Sequence, residues 1–172
     1  MLIVITGNGK GKTTSALGQA FRAIGERKKV IMYQFIKGPW ISGEDKAAPR
    51  LSPDFELIKG GKGFVGILGD TLPREEHESA ARKTWDNIKK AVESGKFGLV
   101  IADELNVALS LDLLKLDEVL SFLKEHKDGL DIMVTGRDAP QELIDVADLV
   151  SEVKEIKHPF NDGHLAERGR EY

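Results

Sequence analysis

The sequence predicts an α/β fold, with a mostly parallel β-sheet that has helices on both of its faces. Short apolar runs alternate along the chain with longer segments in which apolar residues recur every three or four positions. Strands separated by helices in this way form βαβ units, in which successive strands run in the same direction. Parallel sheets are covered on both faces, so we expect the helices to divide between the two sides.

The first four elements follow from short-range patterns. The first strand, LIVI at 2–5, is a β-branched run that ends at a glycine. A helix is predicted over 13–27, because its apolar residues fall on one face. VIMYQFI (30–36) and FELI (55–58) are short apolar runs bounded by turn residues, and we predict both as strands.

A polar, glycine-rich stretch at 60–70 separates these elements from a long helix at about 73–94. Asp70 or Thr71 is the expected cap at the start of this helix, and a glycine follows its end. His77 is expected on the exposed surface of the helix. The stretch before the helix is long enough to form a flap.

The C-terminal part repeats the alternation of strands and helices. FGLVIADE (97–104) is a buried strand that ends in two acids. A helix at 119–125, a strand at 131–136, a helix at 141–148 and a last strand at 149–156 follow. No repeat or linker interrupts this pattern, so we expect one domain over the whole chain.

Composition limits the kinds of protein that the chain can be. Hydrophobic residues make up 41% and charged residues 31% of the 172 residues, as in folded globular domains. The net charge of −3 argues against broad binding to nucleic acid, which needs a basic surface. The lack of cysteine excludes disulfides, thiolate metal sites and a cysteine nucleophile. Without a membrane-length apolar run or a basic leader before the first strand, we expect a cytoplasmic protein with no membrane contact.

Three segments lie at the edge of the sheet where ligands are expected. In open α/β sheets, ligands bind beyond the carboxyl ends of the strands. The segments at that edge are TGNGKGKTT (6–14), the acid pair Asp103-Glu104, and Thr135-Gly136-Arg137. We therefore expect these segments to form the functional site together.

The segment TGNGKGKTT indicates a phosphate-binding loop. It lies between a strand and a helix, its glycines let backbone N–H groups face an anion, and the helix N-terminus adds a favourable dipole. Lys12 is placed to reach phosphate oxygens, and the Thr13 hydroxyl is placed to bind Mg²⁺. Only three residues separate Gly7 from Gly11, one fewer than in the usual motif, and Lys10 is a second lysine. The alternative is a glycine-rich turn with solvated lysines.

The acid pair supports a nucleotide site. A carboxylate at a strand end beside a phosphate loop is the usual second anchor for Mg²⁺. Asp103 and Glu104 are adjacent, so their side chains leave an extended strand in opposite directions, and one can face the metal while the other holds the loop. The alternative is that Asp103 caps a helix. A phosphate loop indicates a P-loop NTPase-like (RecA-like) sheet but no particular reaction, because ATPases, kinases and motor domains share it.

Several segments taken together resemble one family, the P-loop ATP:corrinoid adenosyltransferases, also called cob(I)alamin adenosyltransferases. The resemblance covers nearly the whole chain, and GNGKGKTT together with QFIKG is its most specific part. The segments are GNGKGKTT (7–14), RAIG (22–25), YQFIKG (33–38), GF (63–64), ADE (102–104), TGR (135–137), VSEVKEIKHPF (150–160) and the terminal Gly169-x-x-Tyr172.

The resemblance implies a reaction. These enzymes transfer the 5′-deoxyadenosyl group of ATP to the Co(I) of a reduced corrinoid, cobalamin or a precursor, and release triphosphate. ATP and the corrinoid would be the substrates and Mg²⁺ (or Mn²⁺) the metal, with ATP in the loop in reverse orientation. A homodimer and a flavodoxin-like reductase are the implied partners. The alternatives are another P-loop ATPase or kinase, and a carrier that binds a nucleotide or adenosylcorrinoid without turnover.

The family's site residues can be matched to positions in this sequence. The resemblance assigns catalysis to Lys12 and Glu104, and the metal to Thr13 and Glu104. Arg22 and Arg137 match basic positions near the nucleotide. The phosphate loop corresponds to Gly7, Asn8, Gly9, Lys10, Gly11, Lys12, Thr13 and Thr14.

Two departures from the family's pattern concern the corrinoid. Family members usually carry an N-terminal extension that helps close the site, whereas the first strand here begins at residue 2. We expect that lid to be missing or replaced, for example by a partner subunit. Phe64 matches an aromatic residue at the corrinoid, but Gly66 replaces the family's second aromatic, so transfer to preformed Co(I) is expected more than activation of Co(II). We also expect 60–70 to be a mobile flap over the corrinoid and Trp40 to border its pocket.

Overall fold

A six-stranded sheet forms the centre of the computed structural model, which describes residues 1–38, 40–67 and 69–171. The strands are β1 (Leu2–Thr6), β2 (Val30–Gln34), β3 (Phe55–Lys59), β4 (Leu99–Asp103), β5 (Asp131–Thr135) and β6 (Leu149–Glu152). Their order across the sheet is β3-β2-β4-β5-β1-β6, and all the pairs are parallel. The predicted parallel α/β sheet is therefore confirmed.

Helices connect the strands. In the described part of the chain the α-helices are α1 (Lys12–Gly25), α2 (Gly43–Ala47), α3 (Arg74–Glu93), α4 (Leu105–Ser110), α5 (Leu116–His126) and α6 (Gln141–Val146). Short 3-10 helices cover Ala48–Leu51 and Pro159–Asp162. The sequence patterns predict α1, α3, α5 and α6. They do not predict α2 and α4, because five and six residues are too few to show a helical period.

Alternate residues of the four central strands, β1, β2, β4 and β5, face two separate hydrophobic cores. In β4, Val100 and Ala102 pack in the core that includes Trp85 of α3, Leu123 of α5 and Leu143 of α6. The neighbouring β4 residues, Leu99 and Ile101, pack on the other face with α1 and the first 3-10 helix. This alternation follows from the two-residue period of a strand, and it confirms that helices cover both faces.

The register of the sheet brings the carboxyl ends of its strands level with one another. Gln34 of β2 is paired with Asp103 of β4, and Ile5 of β1 is paired with Thr135 of β5. Because β5 lies between β1 and β4, the strand that precedes the glycine-rich loop is not adjacent to the strand that ends in the acids. The loop therefore has to reach across the end of β5 to meet them.

Most predicted boundaries are shifted by one to three residues, and two of the differences have a clear structural cause. The last strand ends at Glu152 and not at 156, because its partner β1 ends at Thr6 and the chain then turns into the loop. Pro73, with no side-chain cap, precedes α3, so the cap predicted at Asp70 or Thr71 is wrong. Over the described ranges, no helix combines the length and the apolar character needed to cross a membrane.

Candidate active site

The glycine-rich loop is held by the segment that follows β6. The N–H of Gly9 donates to the carbonyl of Val153 over 2.7 Å. A Cβ on Gly7 would lie 2.5 Å from that carbonyl oxygen, and one on Gly9 would lie 2.7 Å from the carbonyl oxygen of Lys154. Gly7 and Gly11 also have positive φ angles of 97° and 122°. Glycine is therefore required for backbone conformation and for space, as in loops that wrap around a phosphate.

The two loop lysines have different surroundings. Lys12, the first residue of α1, is only 7% exposed, and its ammonium donates to the carbonyl of Gly9 over 2.7 Å. Burial lowers the pKa of Lys12, while the nearby carboxylate of Glu104 opposes that shift. Lys10 is exposed and donates to the carbonyl of Arg170 near the C-terminus. A polyphosphate in the loop would give both ammonium groups a stronger acceptor than a carbonyl.

Asp103 joins the loop to the sheet. Its carboxylate is fully buried, and Oδ1 accepts hydrogen bonds from the hydroxyls of Thr13 (2.9 Å) and Thr135 (2.6 Å). The amide of Gln34 donates to Oδ2 over 3.1 Å. Burial raises the pKa of Asp103, and the hydrogen bonds from the two threonines oppose that shift. Asp103 thus fixes the position of the Thr13 hydroxyl and does not cap a helix.

Glu104 lines the cavity in front of the loop. It has a left-handed backbone (φ 63°), and its N–H donates to the Thr135 hydroxyl over 3.1 Å. Its side chain packs on Gly136, where an added Cβ would lie 3.2 Å from Oε2. Burial and the charge of Asp103 raise the pKa of Glu104, while the charges of Lys12, Lys37 and Arg137 oppose the rise.

A polar cavity of about 460 Å³ lies between these groups. Basic residues from four separate segments line it together with three acids, Glu44, Glu104 and Glu171. The lining residues are Asn8, Gly9, Lys10, Gly11, Lys12, Thr13, Thr14, Leu17, Lys37, Gly43, Glu44, Glu104, Arg137, His158, Gly169, Arg170 and Glu171. The predicted meeting of the loop, the acid pair and the strand end at Arg137 is what the structure shows.

The cavity offers oxygen ligands that suit a magnesium ion bound with a nucleotide. Mg²⁺ prefers oxygen and is commonly held by one or two protein groups together with substrate phosphates and water. The Thr13 hydroxyl and the Glu104 carboxylate are such groups, and both face the cavity. Among the described residues, no group of three or more His, Cys, Asp or Glu could hold a metal ion. A metal at this place would therefore need phosphate oxygens to complete its ligands.

The comparison with protein families agrees with this arrangement. Residues 1–172 match the model of the family described as ATP:corrinoid adenosyltransferase BtuR/CobO/CobP. The chain belongs to the ATP:corrinoid adenosyltransferase family.

Two curated relatives support this assignment, and one solved structure is similar in fold. The chain is 37% identical over 172 residues to a corrinoid adenosyltransferase of Escherichia coli K12, covering all of this chain and 85% of that protein. It is 36% identical to corrinoid adenosyltransferase CobA of Salmonella typhimurium LT2, with the same coverage. The flagellar accessory protein FlaH of Methanocaldococcus jannaschii is similar in structure, with a TM-score of 0.57 over 88% of this chain and 70% of that one. At 16% identity, that likeness shows the fold alone.

The structure does not bring every residue matched to the family into the cavity. Arg137 lines it, whereas Arg22 is exposed on α1, ten residues after Lys12 and so about 15 Å along the helix axis. Phe64 is not among the lining residues either; it lies next to Trp40 in an exposed pair. Tyr172, the last residue matched to the family, lies outside the described residues.

Several residues of the site were not predicted from the sequence. Lys37 and Glu44 enter the cavity from the segment after β2, with Nζ and Oε1 3.9 Å apart. Lys37 belongs to the QFIKG segment that carried part of the resemblance, but its position in the sequence does not show where its side chain points. Gly169, Arg170 and Glu171 reach the cavity because the C-terminal segment folds back over the loop. No local pattern predicts such a long-range contact.

The prediction that His77 lies on the exposed surface of the helix is wrong. His77 is 4% exposed, and its Nε2 lies 3.0 Å from Oδ2 of Asp70. Asp70 also accepts hydrogen bonds from the N–H groups of Gly66 and Leu72, and these bonds lower its pKa. The glycine-rich stretch is therefore fastened to α3 through buried polar groups.

Proposed function

We propose that the protein transfers the 5′-deoxyadenosyl group of ATP to the Co(I) of a reduced corrinoid and releases triphosphate. The observation that supports this most is the cavity, in which Lys37, Arg137 and Arg170 join the two lysines of a phosphate loop of the adenosyltransferase family. In this reaction the Co(I) electron pair attacks C5′ of ATP and forms a Co–C bond. The C5′–O bond breaks, and its electron pair leaves with triphosphate.

The attacking atom belongs to the corrinoid, so the protein needs no nucleophile of its own. Its tasks are to orient ATP and to stabilise the charge that develops on the leaving triphosphate. Lys12 is best placed for the second task, because it lies buried at the N-terminus of α1, where the helix dipole adds to its charge. Arg137 and Lys37 approach the cavity from other strand ends and surround the triphosphate with positive charge.

Magnesium would be held by Thr13 and Glu104, and Asp103 would position Thr13. When bound, the ion would neutralise part of the triphosphate charge and favour its departure. The hydrogen bond from Thr13 to Asp103 leaves a lone pair of the Thr13 oxygen for the metal. Burial raises the pKa of Glu104 and so disfavours its ionised form. A divalent cation bound to the carboxylate would favour the ionised form again.

We further propose that residues 1–172 act as one domain, in a cytoplasmic homodimer, and that a flavodoxin-like reductase supplies Co(I). The homodimer would also place a neighbouring subunit where it can help to close the site. The single sheet that carries the site residues supports the one-domain proposal. The resemblance to the family supports the homodimer and the reductase.

Two variants test the proposed roles. Lys12→Ala should lower adenosyl transfer from preformed cob(I)alamin by at least about a hundredfold, because a buried cation at the leaving group is lost. Glu104→Gln should lower turnover and raise the Mg²⁺ concentration needed for half-maximal rate, with little change in the free energy of unfolding. Transfer is followed anaerobically by the loss of Co(I) absorbance.

Matched controls come from α5. Lys124 and Glu125 are exposed there, and neither lines the cavity. Lys124→Ala and Glu125→Gln should leave transfer and the Mg²⁺ requirement unchanged. Near-wild-type kinetics in Lys12→Ala and Glu104→Gln would contradict the proposed phosphate and metal roles.

A further inference from the structure

A buried amide side chain lies behind the wall of the cavity. Asn106, in the first turn of α4, is fully buried and does not line the cavity itself. Its Nδ2 donates to the carbonyl of Gly136 over 2.9 Å. Gly136 comes directly after β5 and directly before Arg137, which does line the cavity. Asn106 therefore joins α4 to the point where the chain leaves the sheet and enters the site.

This hydrogen bond fixes the peptide group that leads into Arg137. The carbonyl of Gly136 and the N–H of Arg137 belong to one planar unit, so a donor on the carbonyl sets the direction of the whole unit. On the other side, the N–H of Gly136 donates to the carbonyl of Ile5 over 3.2 Å. Gly136 has a φ of 132°, which residues with a side chain rarely adopt. The path of the chain into Arg137 thus depends on a glycine that is held from both sides.

Gly136 also packs against the turn that carries Glu104. A Cβ added to Gly136 would lie 2.9 Å from the Cβ of Asn106 and 3.2 Å from Oε2 of Glu104. Burial lowers the pKa of Lys12, and the charge of Arg137 adds to that shift, so the guanidinium lies near the loop lysine. Asn106 therefore holds together two arms of the site, the acid at the start of α4 and the arginine at the end of β5.

Packing alone does not account for an amide at position 106. Oδ1 of Asn106 has no hydrogen-bond partner among the residues that the structure describes, and a buried acceptor without a donor costs free energy. Leu105 and Leu109 of the same helix are core residues. A leucine has a similar branched shape and carries no unpaired oxygen. The contribution of Asn106 therefore lies in the bond from its Nδ2 to Gly136.

We propose that Asn106 is a positioning residue which, through the carbonyl of Gly136, directs Arg137 at the triphosphate. This inference rests on the proposed function and adds a residue to it that contacts no ligand. A guanidinium is a rigid planar fork, and it binds two phosphate oxygens at once only over a narrow range of directions. The direction of the main chain before an arginine therefore matters more than it does before a lysine, whose ammonium acts as a point charge.

A double-mutant cycle on triphosphate binding tests this role. Calorimetry with triphosphate and Mg²⁺ compares wild type, Asn106→Leu, Arg137→Ala and the double variant. Asn106→Leu should weaken binding by about fivefold and Arg137→Ala by about tenfold. Because Asn106 acts through Arg137, the double variant should bind within about twofold of Arg137→Ala. Losses that multiply in the double variant, or wild-type affinity in either single variant, would overturn the inference.

Two further variants separate positioning from a general loss of structure. Asn106→Ala adds no bulk and should give the same loss of affinity and the same cycle. The control, Leu109→Ala, removes core packing from the same helix away from the cavity, so it should lower the free energy of unfolding at least as much. It should nevertheless bind triphosphate as wild type does. If Leu109→Ala weakens binding as much as Asn106→Leu, the effect belongs to the stability of α4 and the inference fails.

Adenosyl transfer by the wild-type protein distinguishes failure of this inference from failure of the proposed function. Transfer to preformed cob(I)alamin together with losses that multiply would refute the role of Asn106 alone. No transfer, with losses that do not multiply, would refute the proposed reaction and would leave Asn106 in its role toward a polyphosphate.

Discussion

Replacing Thr135 by valine removes one hydroxyl from the point where the sheet meets the cavity and keeps the shape of the side chain. Thr135 is fully buried at the end of β5. Its hydroxyl donates to Asp103 over 2.6 Å and accepts from the N–H of Glu104 over 3.1 Å. Thr135→Val therefore deletes a hydrogen bond to a carboxylate and leaves a backbone N–H without its acceptor.

The cost can be worked from these two bonds. A hydrogen bond to a charged group contributes about 1.5–3 kcal/mol, and a buried donor left unpaired costs about 1–3 kcal/mol. Because the Glu104 N–H is only partly buried, we take the lower part of both ranges and expect a loss of about 3 kcal/mol in the free energy of unfolding. For a chain of this size, that corresponds to a fall of about 6–12 °C in Tm.

Urea unfolding of Thr135→Val and of a matched control measures this loss. Thr84 of α3 is equally buried, but its hydroxyl donates only to the carbonyl of Ala80, within the same helix. Thr84→Val should therefore cost no more than about 1 kcal/mol. If the two variants unfold within about 0.5 kcal/mol of each other, Thr135 does not support the acid pair as described.

Three further predictions concern Gly9 in the phosphate loop, the buried Asp103, and Lys37, which the sequence did not predict in the site. Gly9→Ala should weaken ATP binding by at least about tenfold, since its Cβ would lie 2.7 Å from the carbonyl oxygen of Lys154. The control, Gly18→Ala inside α1, where the added Cβ meets nothing within 4 Å, should bind ATP normally and unfold at a higher temperature. Equal ATP affinities of the two variants in calorimetry would exclude the steric explanation. Because burial raises the folded-state pKa of Asp103, ionisation there destabilises the fold as pH rises from the unfolded-state pKa through the folded-state pKa. In urea unfolding without Mg²⁺, Asp103→Asn should gain stability relative to wild type over that pH range. A stability difference that does not change with pH would argue against a raised pKa of Asp103. Lys37→Met should weaken triphosphate binding by about tenfold in calorimetry, whereas an unchanged affinity would mean that Lys37 does not contact phosphate.

The fold and the phosphate loop could be predicted because their signals are local. The strands are apolar runs, α1 shows a helical period, and the glycines and lysines of the loop lie between a strand and a helix. Residues 7–14 meet Asp103 because parallel strands present their carboxyl ends at one edge of the sheet, which topology alone dictates.

The remainder of the site depends on contacts that spacing does not encode. Lys37 and Glu44 enter the cavity through an irregular segment and a helix of five residues, which has no detectable period. His77 has the sequence surroundings of an exposed helix residue, and it is buried because Asp70 folds over it. The contact of Arg170 with Lys10 joins the two ends of the chain. These features need the tertiary structure.

The identity of the phosphate product tests the central claim most directly. Preformed cob(I)alamin, ATP and Mg²⁺ are mixed anaerobically with the protein, Co(I) absorbance is followed, and the products are resolved by ³¹P NMR. One triphosphate is expected for each Co(I) consumed, because the bond that breaks is C5′–O. ADP and phosphate, or bound ATP with Co(I) unchanged, would contradict adenosyl transfer and would indicate an ordinary P-loop hydrolase or a carrier.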